Sequence, residues 1–118
     1  MKFASKIQRT VKHGKGGFMI RHIVMWKFKD EAEGLTKEEN IAKVKKMLEA
    51  LPEKIDFIRK SEVKMNVNNN GKNFDAVLIS EFDTLEDVKK YRVHPDHVKI
   101  SDYVSLIRLD RACVDYEF

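Results

Sequence analysis

The order of apolar periodicities from Met19 onward predicts an α+β fold, a ferredoxin-like β-α-β-β-α-β sandwich with helices covering one sheet. Three observations carry this. Stretches with apolar residues two apart alternate with stretches where they lie three and four apart. Capping and turn residues punctuate them at the right places. The length of 118 residues suits one compact domain with one modest core.

Each element has its own warrant. Ile20 to Phe28 is rich in Ile, Val, Trp and Phe, which pack well on a pleated surface. Thr36-Lys37-Glu38-Glu39 is a capping box, and the helix it opens lines up Ile41, Val44, Leu48 and Leu51 before Pro52. Lys60 to Val67 alternates, with Val63, Met65 and Val67 on one face. Asn70-Gly71 then supplies a turn tolerant of positive φ, and Phe74 to Phe82 returns as a strand. Thr84-Leu85-Glu86-Asp87 opens a second helix, which ends near Tyr91 because Pro95 interrupts it. Proline suits a first helical turn, so another helix is expected from Pro95 to Ser105. Leu106 to Tyr116 closes the domain as a strand.

A sheet with one wet face alternates cleanly, and this one does not. Ile20, Val24, Trp26 and Phe28 share one side of the first strand, but Ile23 and Met25 occupy the other. In the strand ending at Phe82, Phe74, Ala76, Leu78 and Phe82 are opposed by Val77 and Ile79. The helix-free face is therefore expected to pack on a partner, most simply a second copy of the chain.

Charge and cysteine narrow the function classes. The net charge of +4 arises in a leader: Lys2, Lys6, Arg9, Lys12 and Lys15 lie in the first eighteen residues, which hold no acid. Removing that +5 from +4 leaves −1 for Met19 to Phe118. With Lys and Glu interleaved there, no nucleic-acid partner is expected. No stretch approaches the length of a membrane span, so no membrane partner is expected either. Three readings are open for the leader, residues 1–18: a transit peptide or membrane-touching arm, a disordered tail, or translated upstream sequence with Met19 as the natural start. The last is preferred, and 19–118 is the domain. The single Cys113 cannot form an internal disulfide, which points to a cytoplasmic protein. Its apolar neighbours predict a small buried side chain.

The densest cluster of proton-moving groups is Tyr91-Arg92-Val93-His94-Pro95-Asp96-His97, answered by Val114-Asp115-Tyr116-Glu117. In the predicted topology the first and last strands pair antiparallel. His22 then lies near Asp115, Val24 opposite Cys113, and Trp26 near Arg111.

These segments, with Arg21-His22-Ile23-Val24-Met25-Trp26-Lys27-Phe28-Lys29, resemble the stress-responsive A/B barrel (Dabb) family across Met19 to Phe118. The resemblance implies a dimeric α/β barrel, two four-stranded sheets closing together with helices outside. Many family members are bacterial proteins of undefined role. A plant polyketide cyclase looks like a distant relative, and carrying its residues over implies His97 as base, Tyr91 as the oxyanion-side hydroxyl, and Asp115 as the carboxylate orienting the histidine. His22, Val24, Trp26 and His94 are the further expected ligand-contacting residues.

The chemistry also holds on its own terms. A His97 in the first turn of a helix is biased toward the neutral base, and a carboxylate fixes its tautomer. Such a constellation can take a proton from a carbon beside a carbonyl, with no cofactor. A structural role competes evenly for His97, and is favoured for His22 and His94 as core or capping groups. A metal held by His22, His94, His97 and Asp115 is a minority reading, since the spacing matches no zinc motif. The sequence thus predicts a homodimeric A/B barrel protein of undefined biochemical role, binding a small apolar or carbonyl-containing molecule. The alternatives are a cofactor-free cyclase, isomerase or lyase, and a purely structural stress protein.

Overall fold

Residues 18–118 are described in the computed structural model of the chain; apart from Phe18, the leader lies outside the described residues. The elements are β1 (Ile20–Phe28), β2 (Glu31–Ala32), β3 (Leu35–Thr36), α1 (Lys37–Glu49), β4 (Ile58–Met65), β5 (Ala76–Phe82), α2 (Leu85–Val93), α3 (Pro95–Ile107) and β6 (Arg108–Glu117). A single 3₁₀ turn, Leu51–Glu53, follows α1.

The main sheet runs β4-β5-β1-β6, all antiparallel. This is the ferredoxin-like α+β arrangement, with the first and last strands side by side. The β1–β6 register pairs His22 with Asp115, Val24 with Cys113 and Trp26 with Arg111, as the topology predicted. One bulge, at Lys27/Phe28, lets Arg108 stand opposite Phe28.

Helices cover one face. Val24, Trp26 and Phe28 of β1 and Leu78 and Phe82 of β5 pack with Ile41, Val44 and Leu48 of α1, Val88 of α2, and Ile100, Val104 and Ile107 of α3. Each such side chain contributes about 1.5–3 kcal/mol when fully buried. The opposite face stays uncovered in the single chain: Met25 is 39% exposed and Val114 54%. The sheet is open, not a closed barrel, within one protomer.

Local chemistry explains where the predicted boundaries move. The capping box forms in full, with Thr36 Oγ1 accepting from Glu39 N (3.2 Å) and Glu39 Oε1 accepting from Thr36 N (2.9 Å). Strands β4 and β5 end earlier than predicted at their shared turn. Asn66 and Asn70 side chains take backbone N–H groups of Asn68, Lys72 and Asn73, which competes with the strand ladder. Both later helices run two residues longer than predicted at their C-terminal ends, α2 to Val93 at the Pro95 break and α3 to Ile107. The β2–β3 hairpin, turned by Glu33 (φ 52°) and Gly34 (φ 77°), was not predicted. It is held down by buried Asn40, whose Nδ2 donates to Ala32 O (3.0 Å) and whose Oδ1 accepts from Tyr103 (2.5 Å).

Cys113 departs from its predicted burial. It lies on edge strand β6, opposite Val24, and is exposed and free.

Candidate functional site

A cavity of about 360 Å³ opens between the sheet and α3. Val24, Trp26, Leu48, Leu78, Ile100 and Val104 form its apolar part; His22, His97, Ser101, Ser105 and three arginines supply the polar groups. Three of the four expected contact residues, His22, Val24 and Trp26, therefore line it together with His97. Asp115, Tyr91 and His94 do not.

The helix break places His97. His94 takes an extended conformation as the N-cap of α3, and Pro95 follows at the first helical position. His97 then sits half-buried in the first turn, with Nδ1 3.2 Å from the carbonyl of Arg92 in α2. A carbonyl only accepts, so Nδ1 carries the proton and Nε2 keeps a lone pair. Burial shifts the imidazole toward neutrality; the Arg92 carbonyl opposes this, and His22, Arg111 and Arg92 reinforce it. The expected bias is present, but burial is its first cause.

Asp115 does not orient His97. Its Oδ1 lies 2.5 Å from Nδ1 of His22, because the β1–β6 register sets those two residues face to face while His97 stands in the helix layer. Asp115 Oδ2 is 3.8 Å from the Arg92 guanidinium. His22 is 2% exposed; burial lowers its pKa and Asp115 pulls the other way. Two imidazoles thus face one cavity, one tied to a carboxylate and one to a carbonyl. Among the described residues neither Nε2 has a hydrogen-bond partner.

Tyr91 sits between them as a packing piece. Its ring centroid is 4.1 Å from that of His97, 5.0 Å from Phe82 and 5.9 Å from His22. The side chain is 1% exposed, and its hydroxyl has no hydrogen-bond partner among the described residues. Burial raises the phenol pKa strongly. The group is a neutral donor without an acceptor, a costly state for a buried hydroxyl.

His94 is occupied elsewhere. Its Nδ1 accepts from Asp96 N at 3.1 Å, which caps α3. Among the described residues, those able to share a cation are not the four suggested by the sequence but His22, Cys113 and Asp115, whose ligand atoms lie within 4.8 Å of one another. His22 Nδ1 already donates to Asp115, and Cys113 Sγ is 3.7 Å away.

The arginines Arg92, Arg108 and Arg111 are the charged cavity residues that sequence reasoning passed over as ligand contacts. The signal for one was available, since the strand register already set Arg111 opposite Trp26. Arg108 needed the bulge, which no residue pattern announced.

The family model described as "Stress responsive A/B Barrel Domain" (Dabb) matches residues 20–118. This chain belongs to that family. The Dabb protein described here is 44% identical to a solved dimeric protein of unknown function and ferredoxin-like fold from Bacteroides fragilis. That match covers 85% of this chain and 96% of the other, at a TM-score of 0.73. A Dabb family protein with a ferredoxin-like fold from Mesorhizobium loti is 25% identical, covering 84% and 95% at 0.64. A hydroxynitrile lyase from Passiflora edulis is 13% identical, covering 85% and 93% at 0.71, a likeness of fold alone. Among curated proteins none matches this Dabb chain. The B. fragilis structure and two further solved neighbours are described as dimeric proteins of unknown function, and the family assigns no specific activity. Among the described residues no helix is long and apolar enough to cross a membrane.

Proposed function

We propose that this Dabb protein is a cytoplasmic homodimer that binds a small, largely apolar, carbonyl-containing molecule in each protomer. We further propose that His97 takes a proton from a carbon beside that carbonyl. The observation that carries this reading is the 3.2 Å contact of His97 Nδ1 with the Arg92 carbonyl: an acceptor there assigns the proton to Nδ1 and leaves the Nε2 lone pair on a residue that lines the cavity. In the step, the C–H bond breaks, the proton passes to Nε2, and the electron pair moves onto the carbonyl oxygen as an enolate. The positive cavity rim favours that oxyanion. The His22–Asp115 pair stands ready on the same cavity as a second proton-handling group.

A cavity of a few hundred Å³ with an apolar wall and a few polar groups is the usual form of a small-molecule site. It also weighs against the purely structural reading, which needs that volume filled. The uncovered apolar sheet face and the dimeric B. fragilis relative support the homodimer. Closing two such sheets face to face would make the α/β barrel.

Native mass spectrometry of the purified protein tests the binding step, and deuterium exchange into the captured molecule in D₂O tests the chemistry. Exchange lost in His97→Ala with binding retained is the expected result. Equal exchange in wild type and His97→Ala would remove the catalytic reading.

A further inference from the structure

Among the described residues five arginines are present, and their partners divide them sharply. Arg21 is paired with Glu81 at 3.0 Å, Arg59 with Asp83 at 2.8 Å, and Arg92 reaches Asp115 at 3.8 Å. Arg108 and Arg111 have no carboxylate partner and no side-chain hydrogen bond among the described residues. These two unpaired guanidinium groups both line the cavity, and both come from its β6 rim.

Their surroundings do nothing to offset them. The cavity lining contains three arginines and no Asp or Glu. Asp110 is near in sequence, but it stands opposite Lys27 in the register and its Oδ1 accepts from the backbone N–H of Arg111. Asp115 lies outside the lining, bonded to His22 and leaning toward Arg92. Arg108 is half-buried while unpaired, which makes its uncompensated charge more costly than that of a free surface arginine. Next to this charge lie the apolar side chains of Val24, Trp26, Ile100 and Val104.

We propose that the cavity takes an amphipathic anion, its carboxylate or phosphate-ester oxygens held by Arg108 and Arg111 and its apolar body lying along Trp26, Ile100 and Val104. The assignment rests on the small-molecule reading above and adds the charge class of the ligand. A guanidinium fork matches an anionic oxygen pair, so the head is held by directed hydrogen bonds as well as by charge. The head also fixes which part of the molecule reaches His97 on the helix side, giving the site an orientation.

Trp26, the only tryptophan in the chain, lines the cavity and reports its occupancy by fluorescence. The full-length protein is titrated at low salt with four probes sharing one chain: octanoate, octyl phosphate, octanol and octylammonium. At least one anion is expected to bind about tenfold or more tighter than octanol, with octylammonium weakest. The better of octanoate and octyl phosphate identifies the head. The double variant Arg108→Gln, Arg111→Gln is expected to lose this preference and keep the octanol affinity, while the corresponding Lys variant keeps part of it. Octanol binding as tightly as both anions, or an anion preference that survives in the Gln variant, overturns the assignment and leaves the small-molecule reading standing. No response to any of the four probes removes both.

Discussion

His22 and Asp115 face each other across the β1–β6 pair, with Nδ1 2.5 Å from Oδ1 and the imidazole almost wholly buried. The carboxylate favours the charged ring and burial disfavours it, and burial is the larger effect. His97 is also shifted downward, again chiefly by burial.

The sign of the resulting pH dependence follows from the direction of those shifts. Both histidines have folded pKa values below the unfolded value of 6.5, so the unfolded chain binds more protons in the window just beneath 6.5. Stability is then full above about pH 6.5 and falls as the pH drops, by up to about 1.4 kcal/mol per pH unit for each histidine. Urea unfolding at pH 7.5 and 5.5 is expected to show lower stability at 5.5, with a smaller difference in His22→Gln. Asp115→Asn is expected to lower the His22 pKa further and to cost about 1.5 kcal/mol at pH 7.5. A pH-independent midpoint would contradict the burial argument.

Tyr91 carries a buried hydroxyl with no partner among the described residues. Removing it discards an unmet hydrogen-bonding requirement while keeping the ring stacked on His97 and Phe82. Tyr91→Phe is therefore expected to raise stability by about 1 kcal/mol in thermal or urea unfolding. If the same variant also loses turnover of the captured molecule, the hydroxyl is held in reserve for the reaction. A loss of stability would show instead that the hydroxyl has a partner such as a bound water.

The uncovered sheet face gives a third expectation. Ile23 and Val114 are cross-strand partners there, beside the exposed Met25. Val114→Asp would set an unpaired charge in an apolar dimer interface and is expected to yield monomers by light scattering, with the far-ultraviolet dichroism unchanged. A Val114→Asp protein that stays dimeric would place the interface elsewhere.

The backbone of this fold was legible because its signals are local or periodic. The Thr36–Glu39 box, the Pro95 break and the alternation in β1 each follow from a few neighbouring residues. The partner of Asp115 was legible only in part. The strand register brought His22 beside it, but the family resemblance pointed to His97, and choosing between them required the height of α3 above the sheet. The exposure of Cys113 was not legible because apolar neighbours in sequence do not reveal that a strand lies at the sheet edge. The cavity arginines were hidden for a similar reason: one depends on a bulge, and a bulge has no strong residue signature.

His97 offers the most direct check on the site's chemistry. Its Nδ1 proton is committed to the Arg92 carbonyl, a backbone group that no side-chain substitution removes. Nitrogen-15 shifts of the imidazole at pH 7.5 are expected to show a protonated Nδ1 and an unprotonated Nε2, with titration below 6.5. Asp115→Asn should leave that tautomer in place, since Asp115 bonds to His22. Arg111→Gln should raise the His97 pKa, because the guanidinium disfavours the imidazolium. A tautomer that flips in Asp115→Asn would mean the carboxylate reaches His97 after all and would restore the orientation expected from the resemblance. The unchanged tautomer would instead assign the two histidines separate supports, a carbonyl for the base and a carboxylate for its neighbour.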